Sequence, residues 1–275
     1  MFETIVAIVT PFTHDNLIDF EALIRIIDNL IENGVDGIVV LGSTGECSSI
    51  SDDERNLIYQ FVTKYVNCRI KVILGVGSNS YEKTIKYIKM AENTNCDSLL
   101  IVTPYYVCPN QAGLIAYFNK ILSNTGKDCI LYNVKKRCGC ELEPETVESL
   151  IVNHDNVIGL KQACGRYNDY INICNKFTNF KLYSGDDNLL LEAMNLNMHG
   201  IISVIGNAYP GELVELQYNG DKEWLDKICK AIYKYPSPTG IKGAMEVKEL
   251  CSRNVRLPLV SLNDNEISEI QSICH

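Results

Sequence analysis

Short apolar runs rich in valine and isoleucine recur eight times along this chain, and a stretch with helical spacing follows each. That alternation constrains the fold more than any other feature. The runs occupy residues 5–10, 37–41, 71–75, 98–103, 129–133, 157–161, 180–184 and 200–204. A continuous apolar run of this length reads as a strand buried on both faces. The intervening stretches cover 19–33, 52–66, 81–91, 111–123, 143–152, 169–177, 188–195 and 210–218. In the first, Phe20, Leu23, Ile24, Ile27, Leu30 and Ile31 share a face, with Gly34 as a stop. In the second, Leu57, Ile58, Phe61 and Val62 are predicted to face inward. Alternating strand–helix units with short connections imply a parallel sheet. Eight units in the first 220 residues fit an α/β fold closed as a (β/α)8 TIM barrel. An open doubly wound sheet would place a G-x-G-x-x-G turn after the first strand, where Thr10-Pro11 stands instead. Residues 1–220 are therefore predicted to form the barrel. Residues 221–275 show only helical spacing and are predicted to be a C-terminal helical extension packed on it, reached through Pro236-Ser237-Pro238.

The formal charge of −9 argues against a nucleic-acid partner, which needs clustered cations. No apolar run approaches the ~20 residues of a membrane span, so no membrane partner is expected. The first residues, Met1-Phe2-Glu3-Thr4, lack a basic start and a cleavage pattern, so a cytoplasmic protein is expected. Twelve cysteines include no C-x-x-C pair, and the four histidines are scattered, so no metal site is predicted. Most of the cysteines are expected to be small buried hydrophobes in a reducing compartment. Cys138-x-Cys140 is a spacing that leaves room for a redox pair.

A barrel of this kind carries its chemistry at the C-terminal ends of its strands. Ser43 and Thr44 follow the second strand, Tyr105 and Tyr106 the fourth. Tyr132 ends the fifth, with Arg137 in the loop beyond, and Lys161 ends the sixth. Gly185-Asp186 follow the seventh, and Ile202-Ser203 end the eighth. A lysine amine stripped of water favours its neutral form and can attack a carbonyl to form a Schiff base. Tyr132 is placed to shuttle protons, with Thr44 and Tyr106 as relays. Arg137 can hold a carboxylate through two parallel hydrogen bonds. Ser43, Thr44 and the N–H groups of their turn can hold another. Plainer readings stay open for each. Lys161 could snorkel or pair with a carboxylate. Tyr132 could be a core tyrosine, and Lys135-Lys136-Arg137 a solvated charge run. Glu46 could sit at a helix start, and Asp186-Asp187 could cap a helix.

Six motifs in register carry a resemblance: Gly42-Ser-Thr-Gly-Glu46, Pro104-Tyr-Tyr-x-x-Pro109-x-Gln111, Tyr132-Asn-Val134, Gly159-Leu-Lys161-x-Ala163, Gly185-Asp-Asp187 and Gly200-x-Ile-Ser203. Together the chain resembles the class I aldolase superfamily of dihydrodipicolinate synthase and N-acetylneuraminate lyase. The resemblance runs from Ile5 to about Pro210 and resumes over residues 238–258. It implies that pyruvate binds as an imine on Lys161, that no separate cofactor is used, and that Tyr132, Thr44 and Tyr106 form a proton relay. Ser43, Thr44, Arg137, Gly185 and Ile202 are the implied substrate-binding positions. The second tyrosine of the pair reaches a neighbouring subunit's site in the family, which implies a homodimer or homotetramer.

Arg137 matches the synthase branch, which uses that arginine for the carboxylate of L-aspartate 4-semialdehyde. The implied reaction is condensation of that aldehyde with pyruvate, in lysine (diaminopimelate) biosynthesis. Ser43 stands where the synthases usually have threonine and many lyases have serine; Lys135 and Cys138 replace a usual proline and threonine. Rival readings are another pyruvate aldolase, acting on N-acetylneuraminate or a 2-keto-3-deoxy sugar acid, and a non-catalytic keto-acid-binding barrel. Members inhibited by lysine bind it with histidines and a glutamate, where this chain has Asp52, Arg55 and Lys83 beside retained Asn79 and Tyr105. Weak or absent lysine inhibition is therefore expected.

Overall fold

The computed structural model describes residues 2–274. Eight parallel strands close into a barrel in sequence order. They are β1 (Glu3–Ala7), β2 (Gly37–Val40), β3 (Lys71–Gly75), β4 (Ser98–Val102), β5 (Asp128–Asn133), β6 (Val157–Gln162), β7 (Lys181–Ser184) and β8 (Gly200–Ser203). Closure is direct, since β1 pairs β8 with Ile5 opposite Ile202. The helices are α1 (Phe20–Glu32), α2 (Asp52–Val66), α3 (Tyr81–Glu92), α4 (Gln111–Leu122), α5 (Lys135–Cys138), α6 (Pro144–Asn153), α7 (Tyr167–Lys176), α8 (Leu190–Asn195) and α9 (Pro210–Asn219). Beyond them come α10 (Lys222–Ile232), α11 (Thr239–Val247) and α12 (Asp264–Cys274).

The strands alternate their side chains between two cores, as the period of two requires. Val6, Ile38, Leu74, Ile101, Leu131, Leu160 and Leu182 face outward into the layer shared with the helices. Ile5, Ala7, Val39, Ile73, Leu100, Ile130, Tyr132, Tyr183 and Ile202 fill the barrel interior. Each buried aliphatic side chain contributes about 1.5–3 kcal/mol relative to exposure, which is why nearly unbroken apolar runs were needed. Helix starts are written locally: Ser51 and Glu54 form a reciprocal capping box on α2, and Asp19, Ser80, Asn110 and Asp221 cap α1, α3, α4 and α10.

Several sequence expectations shift. β1 ends at Ala7, three residues before the predicted end, because Val9 donates instead to the Asn207 side chain. Leu57 is exposed rather than inward, and the inner face of α2 runs through Arg55, Ile58, Tyr59 and Val62. In α1 the buried set is Ala22, Leu23, Ile26, Ile27 and Leu30, so Ile24 sits at its margin. The loop carrying Arg137 contains the single helical turn α5, closed by Gly139 with φ 76°. Of the eleven described cysteines, all free, only five are buried, so burial does not account for most of the set.

Candidate active site

The two chemically loaded strands lie side by side. β5 and β6 pair with Tyr132 directly opposite Lys161, and both residues point into the barrel mouth. Lys161 Nζ sits over the Tyr132 ring, 4.6 Å from its centroid. Lys161 is only 4% exposed. Burial lowers its pKa from the ordinary lysine value to about 8, against the opposing pull of Asp187 and Asp186 and with help from the Arg137 cation. The Tyr132 phenol is pushed up to about 12 by burial, with Arg137 and the Ser43 hydroxyl pulling it down. At neutral pH the phenol is therefore protonated and able to give a proton.

Two joined cavities open at this end. One, of about 540 Å³, is lined by Ser43, Thr44, Tyr132, Arg137, Lys161 and Gly185 among others. The other, of about 280 Å³, runs from Ser43, Tyr132 and Arg137 toward Cys47, Tyr105 and Leu259. Gly185 is required beside the lysine: a Cβ there would lie 2.6 Å from Ala163 Cβ and 2.9 Å from Lys161 Cε. The turn after β2 presents backbone donors. Gly45 and Glu46 donate backward to Gly42 and Ser43, while the Ser43 and Thr44 N–H groups have no acceptor among the described residues. Thr44 is buried at the floor, and N–H groups left free in such a turn can receive an anion. Arg137, exposed, lines both cavities. Lys135 beside it pairs with Glu141 at 2.8 Å, which Arg166 also reaches at 3.0 Å. Arg137 itself has no ion-pair partner among the described residues. Lys135, Lys136 and Arg137 are all exposed, so the plain reading of a solvated charge run holds for this turn, while Lys136 and Arg137 also line the larger cavity.

The predicted constellation is gathered with three exceptions. Ser203 is buried and lines neither cavity, its hydroxyl accepting from the Gly206 N–H. Ile202 faces the barrel interior, as Tyr132 does, but is fully buried and lines neither cavity. Tyr106 lines neither cavity; it is 89% exposed with φ 74°, turned away from this chain's own site. The two plain readings of acidic residues also change. Asp187 does not cap a helix: its Oδ2 accepts from the N–H groups of Val204 and Ile205 and from the Tyr233 hydroxyl, tying the β8 loop and α10 to the wall beside Lys161. Glu46 is fully buried and pairs with Lys242 of α11 at 2.6 Å. Its second oxygen accepts from the Arg256 N–H at 2.9 Å. Neither Lys242 nor Tyr233 was marked by the sequence, since both lie in helical stretches far down the chain. Among the described residues no group of three His, Cys, Asp or Glu side chains gathers as metal ligands, and no helix is long and apolar enough to cross a membrane.

A closed α/β barrel with a desolvated amine facing a protonated phenol defines the class: a TIM-barrel lyase. The chain belongs to the dihydrodipicolinate synthetase family, whose model matches residues 1–275. It is 35% identical over 277 residues to the 4-hydroxy-tetrahydrodipicolinate synthase of Bacillus subtilis (strain 168), covering 97% of this chain and 96% of that protein. The solved dihydrodipicolinate synthase of Bacillus anthracis superposes with a TM-score of 0.94 at 33% identity, covering 99% of this chain and 97% of that one. The chloride-inhibited enzyme from Acinetobacter baumannii, solved with pyruvate, gives 0.91 at 31% identity, with the same coverage.

Proposed function

We propose that this enzyme condenses pyruvate with L-aspartate 4-semialdehyde to give 4-hydroxy-tetrahydrodipicolinate, a step of lysine biosynthesis. The observation that carries it is the buried Lys161 amine beside Tyr132, with an unpaired Arg137 across the same cavity. The neutral amine adds to the ketone carbon of pyruvate, whose carboxylate sits on the Ser43–Thr44 turn. Water leaves, with Tyr132 passing the protons, and an imine remains on Lys161. Loss of a methyl proton gives the enamine, which forms the new C–C bond at the aldehyde carbon. The amino group of the adduct then attacks the imine carbon and displaces Lys161, closing the ring and restoring the free amine. Arg137 holds the carboxylate of the incoming semialdehyde. The substrate supplies its own electrophile, so the cycle calls on no cofactor.

Exposed Tyr106 supports an assembly of two or four identical subunits in which it serves a neighbour's site, and a cytoplasmic setting suits the free thiols. The test is pyruvate consumption by purified protein with L-aspartate 4-semialdehyde, run beside N-acetylmannosamine and glyceraldehyde. Turnover is expected with the semialdehyde and lost in Lys161→Ala. Turnover only with a sugar aldehyde would favour the sugar-acid aldolase reading that Ser43 leaves open. Borohydride with pyruvate should add pyruvate less one oxygen atom at Lys161; folded protein that gains no mass would point to a non-catalytic keto-acid binder.

A further inference from the structure

Three thiols meet where the loop after β4 crosses the loop after β5. Cys108 Sγ donates to the carbonyls of Tyr106 at 3.5 Å and Cys138 at 3.6 Å. It lies over Gly139, where any Cβ would stand 2.5 Å from the sulfur. Cys140 Sγ donates across the same crossing to the Pro104 carbonyl at 3.4 Å. The Cys138 and Cys140 thiols both face the Thr103 hydroxyl. The crossing is held in register by Gln111, whose side chain donates to Glu141 O at 2.9 Å and accepts from the Thr146 hydroxyl at 2.7 Å. Each loop thus presents a sulfur to the other, on either side of a residue with no side chain to intervene. Cys108 is exposed and Cys140 half-buried, whereas Cys138 is buried.

We propose that Cys108 and Cys140 form a thiol–disulfide modification site that, when oxidised, ties the Tyr105–Tyr106 loop to the Arg137 loop and weakens binding of the aldehyde substrate. The oxidant is a small-molecule disulfide. The exposed Cys108 thiolate attacks one of its sulfurs and expels a thiolate, giving a mixed disulfide. The Cys140 thiolate attacks the Cys108 sulfur and expels the second. Two protein thiols become one disulfide, one small disulfide becomes two thiols, and the protons follow the expelled sulfurs. To bond, Cys108 leaves the Cys138 carbonyl and Cys140 leaves Pro104. This pulls on the C-terminal end of α5, where Gly139 N–H closes the turn onto Lys135 O at 2.9 Å. Arg137 lies two residues before that glycine and moves with it. The kinetic effect rests on the role given to Arg137 above; the disulfide does not.

The test treats full-length native protein with glutathione disulfide, blocks remaining thiols, and maps cross-linked peptides alongside steady-state kinetics. A Cys108–Cys140 link is expected. KM for the semialdehyde should rise about tenfold, the loss of one charge-assisted contact, and dithiothreitol should restore it. Trapping of the pyruvate imine with cyanoborohydride should stay unchanged. Cys108→Ser should be insensitive to the oxidant and Cys174→Ser should respond like wild type. Absence of the link overturns the site whatever the reaction proves to be. A link with unchanged KM overturns the regulatory effect. If reduced protein never turns over the semialdehyde, the functional reading fails, and the peptide map still decides the site.

Discussion

Replacing Lys161 by methionine removes a buried amine while nearly preserving its volume. The folded pKa of about 8 lies below the ordinary lysine value of 10.5. The unfolded chain therefore binds more protons between these values, and stability rises with pH across that window. At pH 7 the burden on the folded state is the full shift at 1.36 kcal/mol per unit, about 3 kcal/mol. At pH 9.5 it falls to about 1.4 kcal/mol, and above about 11 it vanishes. Lys161→Met should thus be more stable than wild type by about 2 kcal/mol more at pH 7 than at pH 9.5. Urea unfolding of both proteins, freed of pyruvate, at the two pH values reads this directly. All other titrating groups are shared, so the difference isolates Lys161. A stability gap that does not change with pH would refute the desolvation argument. So would a variant no more stable than wild type at pH 7. The same shift leaves about one amine in ten neutral at pH 7, against about one in three thousand for an ordinary lysine. Imine formation should accordingly fall tenfold per unit below pH 8.

Tyr132→Phe removes the proton donor beside the amine and should lower turnover by about 10²–10⁴-fold, with slower imine trapping and unchanged unfolding midpoint. Arg137→Ala should raise KM for the semialdehyde by about 10–100-fold, the scale of a charge-assisted hydrogen bond, while KM for pyruvate stays within about twofold; Arg137→Lys should recover only part. Gly185→Ala places a methyl against Ala163 and Lys161 Cε and should slow borohydride trapping of pyruvate in a protein that still folds. Free L-lysine at millimolar concentration should leave the rate unchanged, because Lys83, at the position that the resemblance aligns with the lysine site of inhibited members, would repel its ammonium. Inhibition at sub-millimolar lysine would count decisively against that.

The barrel was legible because each strand is buried on both faces and so must be apolar throughout; the register of eight such runs left few closures. Lys161, Tyr132 and Thr44 were legible because each ends a strand or begins the turn after it. Ile202 shares the inward parity of Tyr132, and nearness to a strand end does not say how far below the cavities a side chain lies. The turn α5 was hidden by three consecutive cations, which carry no apolar period. Lys242 was hidden for a different reason. It stands in α11 among small and apolar residues, and nothing nearby tells of a carboxylate 196 positions earlier. Long-range ion pairs have no local signature; only the folded path brings them together.

That pairing sets an order of assembly. Glu46 belongs to the turn that carries Ser43 and Thr44, yet its partner emerges from the ribosome only after the eighth strand and two further helices. Until then the carboxylate needs water, since a buried charge left unpaired costs about 3–5 kcal/mol. The nascent barrel must therefore leave the mouth of β2 open while its other walls close. The Ser43–Thr44 floor of the cavity becomes complete only when α11 docks, so a chain halted before residue 242 would have most of a barrel and an unfinished cavity.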